Sequence, residues 1–151
     1  MFRNIFLVSI GAIFLILDQT IKFFVIYSLK PNETVPLIKN IFHITLVLNT
    51  GCAFGLLREQ PTLLFLAIPF AAIIILIHFL NRLRQKDTFP KLAAILLISG
   101  SLSNLTDRFR FGYVIDFLDF RIWPVFNLGD TAITIGVLIF FLQLFSRSRV
   151  K

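Results

Sequence analysis

Apolar residues gather along this chain into four long runs separated by shorter, more polar segments. The clearest is LLFLAIPFAAIIILIHFL, residues 63–80, eighteen positions without a formal charge. As a helix it reaches roughly 27 Å at about 1.5 Å per residue, close to the thickness of one bilayer core. The four runs predict helices over about 5–27, 62–80, 91–107 and 130–146. Three of them carry polar residues: Asp18, Gln19 and Lys22 in the first, the run Ser99-Gly100-Ser101-Leu102-Ser103 in the third, and Gln143 in the fourth. A cleaved secretory signal competes for the first run because Arg3 precedes the apolar stretch 5–17. No small-residue cleavage pattern closes that stretch, however, and residues 23–27 resume its apolar character.

The segments between the runs have a different pattern. After Pro31, Asn32 and Pro36, LIKNIFHITLVL at 37–48 is β-branched and partly alternating, as a strand or hairpin is, and YVIDFLDF at 113–120 is similar. Both predict β-structure packed over the helix ends. The expected architecture is therefore an all-α polytopic membrane protein. It forms a single domain over residues 1–151, with four transmembrane helices and a small extracytoplasmic β-structure in loops at about 30–60 and 108–129.

Composition supports this reading. The 151 residues are 57% hydrophobic and only 15% charged, with a mean hydropathy of +0.86, so a domain this small lacks the polar residues to cover a water-facing surface. Disorder and a collagen-like repeat are excluded. A single cysteine, Cys52, permits no internal disulfide and no multi-cysteine metal site. The net charge of +7 raises the question of nucleic acid, and its placement answers it. Residues 3, 82–91 and 147–151 hold eight Lys/Arg against one acid, whereas the other two loops are neutral overall and Asp18 cancels Lys22. Basic residues in short segments mark the cytoplasmic side, so both termini are expected there, with anionic lipid a secondary partner and nucleic acid none.

Polar residues beside apolar helices are costly and therefore informative. Asp18 and Lys22 at i and i+4 predict an ion pair, by default near the outer interface with Lys22 reaching toward headgroups. Asn104 and Asp107 share a face at the outer end of the third helix, where local hydrogen bonds are the default and Arg108 reaches toward headgroups or a carboxylate. Asp130, just before TAITIGVLIFF, has the default role of N-cap, while Asp116 and Asp119 taken singly are ordinary loop acids. Convergence changes the weighing, because Asp116 and Asp130 both fall at the outer helix boundary with thirteen residues between them. Two carboxylates that meet in a low-dielectric rim share a proton, one acting as base toward water and the other as acid, which is aspartic-protease chemistry. A proton-coupled carrier and a structural scaffold remain open beside it. No HExxH or G-x-S-x-G occurs; His43, in a loop, and His78, at a helix interface, are too far apart to share a metal. The serines around Gly100 read as small residues for close helix packing, and Cys52 as a small apolar filler.

Taken in order, DQTIK at 18–22, NTGCAFGL at 49–56, GSLSNLTDR at 100–108, GYVIDFLDF at 112–120 and FNLGD at 126–130 resemble the lipoprotein signal peptidases, the type II signal peptidases of bacteria. The resemblance implies an aspartyl endopeptidase of the bacterial cytoplasmic (inner) membrane, with four helices, an extracytoplasmic β-cradle and an active site on that outer side. It would cut diacylglyceryl-modified prolipoproteins just before the lipidated cysteine, as a monomer needing no metal or cofactor. By motif, the catalytic pair falls on Asp116 and Asp130. Asn49, Gly51, Asn104, Arg108 and Asn127 fall at substrate-binding positions, and Asp18, Lys22 and Asp107 at supporting ones. Phe54, Leu56, Leu57, Phe117 and Phe120 are expected either to exclude water and grip lipid or to pack the cradle. Gly129 stands where alanine is usual, Ser101 and Ser103 replace smaller residues, and the segment between the two aspartates is shorter than in many relatives.

Overall fold

The structure, a computed structural model, describes residues 2–51 and 62–148. Among these the chain forms four helices, α1 (Phe2–Ser28), α2 (Thr62–Arg82), α3 (Thr88–Phe111) and α4 (Leu128–Ser148), and three strands, β1 (Thr34–Ile38), β2 (Phe42–Asn49) and β3 (Val114–Asp119). The helices follow the apolar runs and extend beyond them. α3 gains most: Pro90 is tolerated in its first turn, where backbone N–H groups lack helical partners anyway. At its other end α3 continues until Gly112 turns left-handed (φ 79°) and returns its N–H to the Arg108 carbonyl at 3.0 Å.

The distribution of polarity is inverted relative to a water-soluble domain. Large apolar side chains such as Phe6, Ile16, Ile68, Ile75, Val137 and Leu142 are exposed, whereas Asp18, Lys22, Ser103, Asn104, Asp107, Asp116 and Asn127 are buried. This arrangement is stable where the surroundings are apolar and the polar groups satisfy one another inside. By length and composition α1 and α3 are each able to cross a membrane; the apolar parts of α2 and α4, Leu66–Arg82 and Leu128–Gln143, are shorter. His78 is exposed on α2, not packed at a helix interface as expected. His43 lies within β2.

α3 is the centre of the bundle and packs against the other three helices. Gly100 permits its closest approach: a Cβ there would stand 2.2 Å from the Gly129 carbonyl oxygen of α4. Since that atom is backbone, the conflict is relieved only by moving a helix. Gly100→Ala is therefore expected to cost about 3 kcal/mol, measured as a loss of thermal stability in detergent.

The sheet has the order β1-β2-β3, antiparallel throughout, so both stretches read as β-structure from the sequence are strands. It rests on the C-terminal end of α1 through a core of Val25, Leu46, Ile115 and Phe117. Phe117, 1% exposed, packs the cradle; Phe120 is more exposed and lies against the rings of Phe42 and Phe126. With Ile115 and Phe117 directed into this core, the two-residue alternation of β3 turns Asp116 toward the opposite face. Register sets Asp116 across from Val47, near the end of β2 that carries Asn49. Cys52, Phe54, Leu56 and Leu57 lie outside the described residues.

Candidate active site

α4 begins one residue after Asn127, not at Asp130, which corrects the expected cap. The Asn127 carbonyl Oδ1 accepts the Asp130 N–H at 2.8 Å, and the Asp130 carboxylate reaches back to the Asn127 N–H at 3.4 Å. This is the reciprocal arrangement of a capping box, and it places Asp130 in the first turn beside the positive end of the helix dipole. Because Oδ1 of Asn127 is committed to that cap, its amide points the other way and donates to Asp116 Oδ1 at 2.6 Å. One fully buried asparagine thus bridges the two aspartates.

Two more asparagines are oriented by the same logic. Asn49 Oδ1 accepts the Gly51 N–H at 2.9 Å, leaving its amide to donate to Asp116 Oδ2 at 2.8 Å. Gly51 makes this turn at φ 85°, a conformation that favours glycine. Asn104 presents Oδ1 to the Lys22 ammonium, a group that only donates, and so must aim its amide at Asp130, 2.7 Å away. Every one of these donors faces a carboxylate oxygen. Burial is the main influence on Asp116 and pushes it up to about 6; the Asp130 charge adds to the rise, and the amides of Asn49 and Asn127 and the Lys22 charge oppose it.

Beneath the pair lies a second polar layer. Lys22 is 1% exposed, and its ammonium meets Asp18 and Asp107 at 2.7 Å each and Asn104 at 2.9 Å, which uses all three of its protons. The expected i, i+4 pair exists, but Lys22 turns inward to these three acceptors, not outward to headgroups. Asp107 also accepts the Ile115 N–H at 3.1 Å, beside Asp116, and Asp18 accepts the Leu128 N–H at 2.9 Å, an otherwise unpaired group in the first turn of α4. The hydrogen bonds of Asn104 and Asp107 are thus long-range, not local.

Two members of this layer were not anticipated in their roles. Ser103 donates to Asp18 at 2.5 Å, and Gln19 donates to Ser103 and to Asp107 at 2.9 Å. The available signal was the i, i+4 spacing of Ser103 and Asp107, which matches that of Asp18 and Lys22 on the facing helix. Arg108 is half-buried within electrostatic reach of Asp130, Asp107 and Asp116. Asp119 stands apart from the pair, bonded to Thr45 at 2.7 Å and Arg121 at 3.0 Å as a structural acid. Among the described residues no three His, Cys, Asp or Glu side chains are grouped to hold a metal ion.

The same fold occurs in membrane enzymes. A bacterial membrane enzyme solved by the in meso method at 2.3 Å superposes with a TM-score of 0.88 at 30% identity, covering 98% of this chain and 90% of that one. A second, solved at 1.9 Å, gives 0.83 at 30% identity over 93% and 91%. A family model for signal peptidase (SPase) II matches residues 10–146, so the chain belongs to the signal peptidase II family. Similar relatives are the lipoprotein signal peptidases of Halothermothrix orenii, 43% identical over 91% of this chain and 94% of the relative, and of Moorella thermoacetica, 43% identical over 89% of each.

Proposed function

We propose that this chain is a membrane endopeptidase that removes signal peptides from bacterial prolipoproteins, with Asp116 and Asp130 as its catalytic pair. The observation that carries the assignment is the Asn127 side chain, which touches Asp116 and caps the turn holding Asp130. Asp130, beside the positive end of the α4 dipole and bonded by the Asn104 amide and the Asn127 N–H, serves as the base and draws a proton from water. The water oxygen bonds to the scissile carbonyl carbon while Asp116, the protonated partner, gives its proton to the carbonyl oxygen. As the tetrahedral gem-diol collapses, one hydroxyl returns its proton to Asp116 while the C–N bond breaks and Asp130 passes the proton taken from water to the leaving amine, which restores one proton shared between two carboxylates. Asn49, Asn104 and Asn127 hold the carboxylates, Gly51 fixes Asn49, Arg108 adds positive charge beside the developing oxyanion, and Asp18, Lys22 and Asp107 support the layer below.

The charge distribution supports four crossings with both termini in the cytoplasm and the site at the outer face of the cytoplasmic membrane, where a signal helix in the bilayer presents its scissile bond. A diacylglyceryl-modified cysteine is the substrate feature this location favours, since its acyl chains remain in lipid while the peptide reaches the pair. One chain supplies every residue named, so the working unit is the monomer. A proton-carrier reading is disfavoured because Asp18, the acid deepest in a span, is closed off by Lys22, Ser103 and the Leu128 N–H.

Cleavage of one prolipoprotein in its diacylglyceryl-modified and unmodified forms tests the function. Only the lipidated form should yield the shorter product on a gel, and equal cleavage of both would remove the lipid requirement. The pair also predicts a pH dependence. Asp116 must be protonated, so kcat/KM falls as pH rises through about 6, read from initial rates across that range. The same raised value makes the folded state bind this proton more tightly than the unfolded chain. Its stabilising contribution is complete below the ordinary carboxylate value and lost as pH rises to about 6.

A further inference from the structure

At the opposite end of the bundle from the aspartates, Lys91 in the first turn of α3 is 8% exposed. Its ammonium has two contacts, both long and both to neutral amide oxygens: Asn4 Oδ1 and Gln85 Oε1 at 3.4 Å each. None of the ion pairs among the described residues includes it. A buried ammonium without an anion is costly, and Lys22, the other buried lysine, shows the usual solution with two carboxylates. Around Lys91 the neighbours are mainly basic, and the one acid of the turn, Asp87, holds the Arg84 N–H on its carboxylate at 2.8 Å and the Lys91 N–H on its backbone carbonyl at 3.1 Å. Arg3 donates to the Gln85 carbonyl, which draws its guanidinium to the same corner, and the exposed Arg84 and Lys86 flank Gln85 in the turn between α2 and α3.

We propose that this corner, with Lys91 at its base and Arg3, Arg84 and Lys86 at its rim, binds the phosphodiester of an anionic phospholipid in the membrane leaflet on that side. A phosphate oxygen supplies an anionic acceptor beside the two long amide contacts of Lys91, the rim cations meet the remaining charge, and the exposed apolar side chains Phe2, Ile5, Phe6 and Phe89 lie on the same end of the molecule to meet the acyl chains. The inference rests on the membrane-spanning reading above but not on the catalytic assignment.

The test is thermal denaturation of purified protein in a neutral detergent, titrated separately with phosphatidylglycerol, phosphatidylcholine and inorganic phosphate. Phosphatidylglycerol should raise the Tm at least about 5 °C more than phosphatidylcholine at equal mole fraction, with phosphate alone ineffective. Lys91→Met should abolish that difference and Lys91→Arg retain most of it; Arg3→Gln, which leaves the buried position intact, should reduce it. Equal effects of the two lipids, an undiminished difference in Lys91→Met, or full reproduction by inorganic phosphate would each overturn the proposal. Cleavage of lipidated precursor by the same preparations, unchanged in Arg3→Gln, keeps this outcome separate from that of the proposed function.

Discussion

Asp116→Asn and Asp130→Asn are each expected to slow cleavage of a lipidated precursor at least about a hundredfold, the low end for removing a general acid or base. The fold should survive. Asp116 accepts the amides of Asn49 and Asn127 on its two oxygens, so an asparagine in its place turns one acceptor into a donor facing a donor. That mismatch costs about 1–3 kcal/mol, and relief from burying a carboxylate offsets part of it. At position 130 the Asn104 amide loses a charged acceptor, but an asparagine oxygen can still take its hydrogen bond. Turnover by gel shift and Tm by thermal melting should therefore separate: a large loss in the first and a few degrees at most in the second. Activity within a few fold of wild type in either variant would remove that residue from the pair.

The largest effect on stability is expected from Lys22→Met. Removing the ammonium leaves Asp18 and Asp107 buried without their shared cation, and breaking a buried ion pair from one side costs about 3–5 kcal/mol. Activity should fall as well, because the Lys22 contact is what fixes which end of Asn104 faces Asp130. Adding Asp18→Asn and Asp107→Asn to the same chain should recover part of the stability by removing the stranded charge, without restoring turnover. A Lys22→Met protein that melts like wild type would mean that other contacts hold α1 to α3.

The positions of the helices and strands follow from patterns visible in the chain: an uncharged run the length of a bilayer, and β-branched alternation in the segments between runs. The approach of Asp116 and Asp130 to one shared neighbour, Asn127, is consistent with their placement near one helix boundary in the sequence. Side-chain direction was not. Lys22 is long enough to reach headgroups or a neighbouring helix, and only the presence of Asp107 and Asn104 across the interface decides for the interior. Asn127-Leu128-Gly129-Asp130 admits a cap at either end, since both residue types cap well; the helix starts at the earlier one because Asp18 satisfies the Leu128 N–H. Ser103 looked like a small packing residue because its partner, Asp18, is 85 positions away along the chain. Long-range polar pairing of this kind leaves little trace in local spacing.

The central claim is that the two aspartates act as one unit, and a double-mutant cycle on cleavage of the lipidated precursor tests it most directly. If they share one proton and one step, Asp116→Asn/Asp130→Asn should be no slower than the worse of the two single variants. Losses that multiply across the two positions would contradict a shared mechanism and show that the aspartates contribute independently.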